Sequence, residues 1–207
     1  MTNLADTLRP AFTQPGAGAQ AESGGRARAL AYDATLVLAG SLLIAASAQV
    51  ALPLPFSPVP VTGQTFAVLL AGTLLGSRRG AAAVLAYLSE GAAGLPVFAG
   101  GAAGPHVLAG PTGGYLAGFV FGAWVCGALS ARGWDRRPGT TVLSMILGNI
   151  AIFALGLPWL ARFVGAERVL ALGFWPFIPG DIVKIGLAAI ALPLAWKWIR
   201  DPAGCAR

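Results

Sequence analysis

Six apolar stretches, separated by short polar or Gly/Pro-rich junctions, dominate what this chain can fold into. They run over about Ala34–Leu52, Thr62–Gly76, Gly80–Phe98, Thr112–Ala131, Thr140–Ala161 and Phe177–Ile199. Most have the ~17–25 residues that a helix needs to cross a hydrocarbon core. A spanning segment must satisfy its backbone polar groups internally, which selects helices here. The second stretch is short and must tilt little or be wrapped by its neighbours. Of the 207 residues only 11% are charged, against about 25% in soluble domains. The sequence therefore predicts an all-α membrane protein, with one compact six-helix transmembrane domain over 32–200 and a short tail at 201–207.

Residues 1–31 lack a long apolar run, which excludes a signal peptide and predicts a disordered tail. A short amphipathic start around Leu4–Phe12 is the alternative. Cys126 and Cys205 lie far apart and suggest neither a disulfide framework nor a metal site. Basic residues alternate with the apolar stretches. Arg26 and Arg28 precede the first, Arg78 and Arg79 separate the second and third, and Arg132, Arg136 and Arg137 separate the fourth and fifth. Lys197, Arg200 and Arg207 end the chain. The complementary junctions carry only Arg162 and Arg168. Basic residues concentrate on the cytoplasmic side of membrane proteins, so both termini are predicted to be cytoplasmic. The net charge of +6 then reports topology, and no nucleic-acid partner is expected.

With that topology, polar side chains gather in the outer half of the bundle. Gln64 starts the second helix, and Pro111, Thr112, Gly113 and Tyr115 lead into the fourth. Tyr87 and Glu90 lie on the third, Asn149 on the fifth, and Asp181 and Lys184 near the start of the sixth. Asp181 and Lys184 are three residues apart, which puts both on one helix face. Each charge costs roughly 2.5–3.5 kcal/mol at membrane depth, so the pair is a candidate binding site. Its bland alternative is a structural ion pair. Gln64 could equally cap a helix, Asn149 bridge two helices, Tyr87 pack with its hydroxyl satisfied, and Glu90 sit protonated or near the surface. The turn at 110–115 offers backbone N–H groups to an anion, although Gly/Pro turns before helices are common. His106 is a lone loop histidine with no expected role. Trp159, Trp175, Trp196 and Trp198 suit interfacial anchors, with Trp175 near enough to stack on a ligand. The outer loops fit a lid: Pro53, Pro55, Pro58 and Pro60 stiffen the first, and glycines and prolines shape the second.

Gly114, Gly118 and Gly122, with Gly72 and Gly76, have the four-residue spacing that lets helices approach closely. Packing inside one bundle is favoured over a dimer interface. Enzyme motifs are missing: no G-x-S-x-G, no H-E-x-x-H and no phosphate-binding GxxxxGK[ST]. The residues alone thus describe a six-helix membrane binding protein with an outward polar site. A structural or channel-like bundle is one rival, and a proton-coupled transporter using Glu90 or Asp181 is another.

Five motifs in order carry a resemblance. They are Gly63-Gln64-Thr65-Phe66 with Gly76 and Arg79-Gly80; Tyr87-Leu88; Gly94-Leu95-Pro96-Val97-Phe98-Ala99-Gly100-Gly101; Gly110-Pro111-Thr112-Gly113-Gly114-Tyr115 with Gly118-Phe119; and Pro176-Phe177-Ile178-Pro179-Gly180-Asp181 with Lys184. Over about Ala34–Ile199 the chain resembles the BioY family, the biotin-binding S components of energy-coupling factor (ECF) transporters. The resemblance implies a six-helix S-component fold in the bacterial cell membrane and high-affinity biotin capture from outside. The protein would be no enzyme and would carry no cofactor beside its transported ligand. The implied partners are an EcfT-type coupling protein and EcfA-type ATPases, with autonomous or homo-oligomeric action as the alternative. In this family the S component is thought to topple in the membrane with its ligand. Small residues of the first helix usually meet the coupling protein as Ala-xxx-Ala; here Ser41 and Ala45 stand in that pattern. Phe98 and Phe177 would wall the apolar part of biotin, and Asp181 and Lys184 suit its ureido group. Backbone donors at 110–115 suit its carboxylate.

Overall fold

The computed structural model describes residues 3–7 and 21–200. Each apolar stretch falls on one helix. In chain order the helices are α1 (Leu4–Thr7), α2 (Ala21–Gln49), α3 (Gln64–Leu75), α4 (Ser77–Ala92), α5 (Pro105–Ala109), α6 (Gly113–Ser130), α7 (Pro138–Val164), α8 (Val169–Gly173) and α9 (Ile178–Arg200). Two-residue strands β1 (Ala51–Leu52) and β2 (Val61–Thr62) pair antiparallel, Ala51 with Thr62 and Leu52 with Val61. They close the proline-rich loop 53–60 into a hairpin.

Among the described residues four helices are long and apolar enough to cross a membrane: Gly25–Gln49 of α2, Gly113–Ser130, Pro138–Val164 and Ile178–Ile199 of α9. Helix α3 has 12 residues, about 18 Å at 1.5 Å per residue. As a short segment requires, it is wrapped: Ala67, Val68, Leu69, Ala71 and Thr73 are all buried. Burial also ranks the long helices. It takes 67% of the apolar window of α6 but 22% in α2 and in α9. Helix α6 is therefore the central post. The outer helices present Leu38, Leu42, Ile190 and Leu194 outward, as lipid-facing surfaces do.

Glycines set the close approaches. A Cβ at Gly114, Gly118 or Gly122 would run into Trp159, the Ile152 backbone or the Ile152 side chain of α7, and one at Gly72 would meet the Ala123 backbone of α6. The glycine spacing thus serves packing within the chain. Gly76, at φ +86°, ends α3 in a conformation that side chains disfavour and lets α4 start at once.

Two expectations change at the end of the bundle that carries the arginine junctions. Helix α2 starts at Ala21, inside the segment expected to be a disordered tail. Its alanine-rich start favours helix, and Asp33 within it meets Arg79 Nη2 at 2.9 Å. Residues 3–7 are also ordered. Asp6 pairs with Arg79 Nη1 at 2.7 Å, and Asn3 Nδ2 donates to Leu75 O at 3.3 Å, satisfying a carbonyl at the C-terminus of α3. Of the expected amphipathic start, residues 8–12 lie outside the described residues, as does the tail at 201–207. Second, this end carries a polar set that the sequence did not disclose. Asp135 is buried, and its Oδ2 accepts from Trp196 Nε1 at 2.6 Å and lies 3.1 Å from Ser130 Oγ. Trp196 is thus buried rather than an interfacial anchor, with the Arg136 guanidinium 4.6 Å from its ring centroid.

Candidate functional site

A cavity of about 190 Å³ lies at the opposite end, the one with the Pro/Gly-rich loops. An engineered apolar cavity of ~150 Å³ takes up benzene, so this one has room for a ring system. Its walls come from the hairpin (Val59, Pro60, Thr62), the start of α3 (Gln64, Thr65) and the 98–107 segment (Phe98, Ala99, Ala102, Val107). The remainder comes from the turn into α6 (Thr112, Tyr115, Leu116, Phe119), α7 (Ile152, Phe153) and Phe177. Aromatic rings frame it: Tyr115 stacks on Phe177 at 6.1 Å and 22°, and meets Phe153 edge-on at 6.2 Å. The Tyr115 hydroxyl donates to Gly173 O at 2.8 Å, which ties α6 to the segment before α9. Ser57 Oγ donates to Leu172 O at 2.8 Å, pinning loop 53–60 to the same segment. The proline-stiffened loop therefore lies over the cavity, as expected of a lid.

The polar edge of the cavity is ordered. Gln64 is buried. Its backbone N–H donates to Thr62 Oγ1 at 3.3 Å, the Thr62 hydroxyl donates to Gln64 Oε1 at 3.0 Å, and Gln64 Nε2 donates to the Tyr87 hydroxyl at 2.5 Å. Tyr87 in turn meets Phe98 edge-on, with centroids 5.5 Å apart.

Asp181 and Lys184 occupy an adjoining compartment rather than the cavity itself. The Lys184 ammonium donates to Thr62 O at 2.9 Å, Thr65 Oγ1 at 2.7 Å and, more loosely, Asp181 Oδ1 at 3.4 Å. Asn149 lines the same small space with Thr65, Phe66, Leu69 and Met145. Asp181 Oδ2 and Asn149 Oδ1 are buried there with no hydrogen-bond partner among the described residues. Two orphaned acceptors beside an ammonium are costly unless a donor arrives. Thr65 borders both spaces, so a group entering from the cavity would reach them past its side chain.

Of the residues singled out by sequence, Gln64, Phe98, Thr112, Tyr115 and Phe177 line the cavity, and Asn149, Asp181 and Lys184 line the compartment. The others do not. Tyr87 is fully buried behind Gln64. Glu90 Oε2 accepts from Ser41 Oγ at 2.6 Å, in the seam between α2 and α4. Pro111 and Gly113 sit behind the wall; the Gly113 N–H is taken by Gly110 O at 3.0 Å and that of Tyr115 by Thr112 O at 3.0 Å. The turn thus spends two of the amides expected to face an anion. Trp175 is 63% exposed and packs on Phe174. Ser41 and Ala45 are buried inside the chain, because that face of α2 packs on α4, and so they present no free face to a partner. The wall residues overlooked were mainly Val59, Pro60, Thr62, Phe119 and Phe153. Phe119 follows Tyr115, and Phe153 follows Asn149, by four residues, so helical spacing did carry a signal for those two.

The sequence matches the BioY family over residues 19–201. It is 39% identical to the biotin transporter BioY of Rhizobium etli, over 74% of this chain and 86% of that protein. It is 39% identical to the probable biotin transporter BioY of Pyrococcus horikoshii, over 77% of this chain and 93% of that one, and 40% identical to the biotin transporter BioY of Thermotoga maritima, over 75% and 91%. Among solved structures, the S component for biotin from an ECF-type ABC transporter superposes with a TM-score of 0.67 at 26% identity, over 82% of this chain and 93% of that one. A family match across nearly all the described helices, close relatives of matching length and a shared fold agree: the chain belongs to the BioY family.

Proposed function

We propose that this protein serves biotin uptake as the high-affinity substrate-capture subunit of an ECF-type transporter. The carrying observation is the loop-covered aromatic cavity, edged by an oriented Gln64 amide and adjoined by a compartment with an ammonium and two orphaned acceptors. Biotin has complementary parts. Its thiophane ring and valeryl chain suit walls such as Phe98, Phe153 and Phe177. Its ureido group has two N–H donors for Asp181 and Asn149 and a carbonyl that can take the Lys184 proton now held loosely by Asp181 Oδ1 at 3.4 Å. Thr112 and Tyr115 complete the contact set. Transport relatives and the solved S component for biotin support the same ligand.

In this reading α2, α3, α4, α6, α7 and α9 are six spans of a domain over 32–200 in a bacterial cell membrane. The arginine junctions then face the cytoplasm with both termini, and the cavity opens outward. The cavity ends at Phe119 and Ile152, so it does not run on to the Asp135 cluster as a channel would. The chain works without a cofactor of its own. Energy comes from an EcfT-type coupling protein and EcfA-type ATPases. Equilibrium binding of labelled biotin to the purified chain in detergent tests this, with thiamine and riboflavin as competitors. Tight, biotin-selective, one-to-one binding is expected; a folded sample that binds no biotin would overturn the assignment.

A further inference from the structure

Tyr87 contributes no wall to the cavity, yet it supports two residues that do. Its hydroxyl takes a hydrogen bond from Gln64 Nε2, and its ring meets Phe98. A primary amide carries a donor and an acceptor at its two ends, and rotation about the last side-chain bond exchanges them. Here each end has one protein partner: Oε1 takes the Thr62 hydroxyl and Nε2 gives to Tyr87. The Gln64 backbone N–H already donates to Thr62 Oγ1, and so directs the Thr62 proton toward Oε1. One N–H and one acceptor lone pair are left to the cavity, side by side. We infer that Tyr87 is a positioning residue: it sets the orientation in which Gln64 offers its free N–H to an acceptor oxygen of the ligand.

This inference rests on biotin being the ligand. The role differs from core packing because it passes entirely through the Gln64 side chain. Tyr87→Phe keeps the ring and its Phe98 contact while removing the partner of a buried donor. Biotin affinity is expected to fall by about ten-fold, the scale of one lost hydrogen bond. In a Gln64→Leu background the same substitution should change affinity by less than about two-fold, because coupled positions do not add. A melting curve for each variant controls for folding, and Gln64→Met serves as a second background. An independent readout needs no ligand: with glutamine side chains labelled in ¹⁵N, the Gln64 amide signals should shift in Tyr87→Phe while those of Gln49 stay. Equal loss in both backgrounds, or unchanged Gln64 signals, overturns the inference and leaves biotin binding standing. A folded parent chain that does not bind biotin overturns the functional reading as well.

Discussion

The two ends of the bundle both bury polar groups, and they use them differently. At the arginine end Asp135 Oδ2 accepts from Trp196 Nε1 and lies beside Ser130 Oγ, while Ser130 Oγ reaches Thr73 O at 2.7 Å. These contacts link α3, α6 and α9 where a short α3 must be anchored. At the loop end, polar groups surround open space, and Asp181 Oδ2 and Asn149 Oδ1 lack partners. Buried polarity alone therefore does not mark a site. Polarity at the margin of a cavity, with hydrogen-bonding capacity left over, does. On this contrast, changes at the loop end should move affinity and changes at the arginine end should move stability.

The strongest way to break the contrast is Lys184→Met. The ammonium holds Thr62 O and Thr65 Oγ1 and is the cation beside Asp181. Losing a hydrogen bond from a charged donor to the ligand costs up to about 3 kcal/mol, which as affinity is about 100-fold. Biotin binding should fall by that factor. Near-native affinity would return Asp181 and Lys184 to a structural role and make the two ends alike.

Such a separation of roles was only partly legible in the sequence. The six helical positions were, because apolar length and glycine spacing are local signals. The cavity residues Gln64, Phe98, Thr112, Tyr115 and Phe177 were visible as polar or aromatic residues in helix starts and Gly/Pro-rich segments. Depth along a helix predicted convergence but said nothing of azimuth. Glu90 and Ser41 therefore turned out to face each other across a helix seam, and Asn149 faces a side compartment. The Asp135–Trp196 contact joins residues 61 positions apart, and neither spacing nor composition signals such a pair. Loop residues such as Val59 and Pro60 enter the cavity wall only because the β1–β2 hairpin folds their loop back.

A smaller effect sharpens the arginine side. Trp196→Phe keeps the apolar bulk and removes the N–H that Asp135 accepts at 2.6 Å. Asp135 Oδ1 already lacks a partner among the described residues, so the carboxylate would lose part of an incomplete shell. The expected cost is about 1.5–3 kcal/mol of stability, the range for a hydrogen bond to a charged group. Thermal unfolding in detergent should register it, with biotin affinity unchanged within about two-fold. A matching drop in affinity would mean that the two ends are energetically coupled.

The smallest effect concerns the Leu4–Thr7 turn, which touches neither the cavity nor Asp135. Asp6 and Asp33 share the Arg79 guanidinium, and Asp6 keeps 33% side-chain exposure. A pair that open to solvent contributes at most about 1 kcal/mol and weakens as salt screens it. Asp6→Asn should therefore lower stability by less than about 1 kcal/mol at low salt, with the gap to the parent closing as salt is raised. Arg79 retains Asp33 in the variant, which keeps α2 tied to α4. A loss that persisted at high salt would shift the weight from the ion pair to the Asn3 contact with Leu75 O, whose hydrogen bond between neutral groups is far less sensitive to screening.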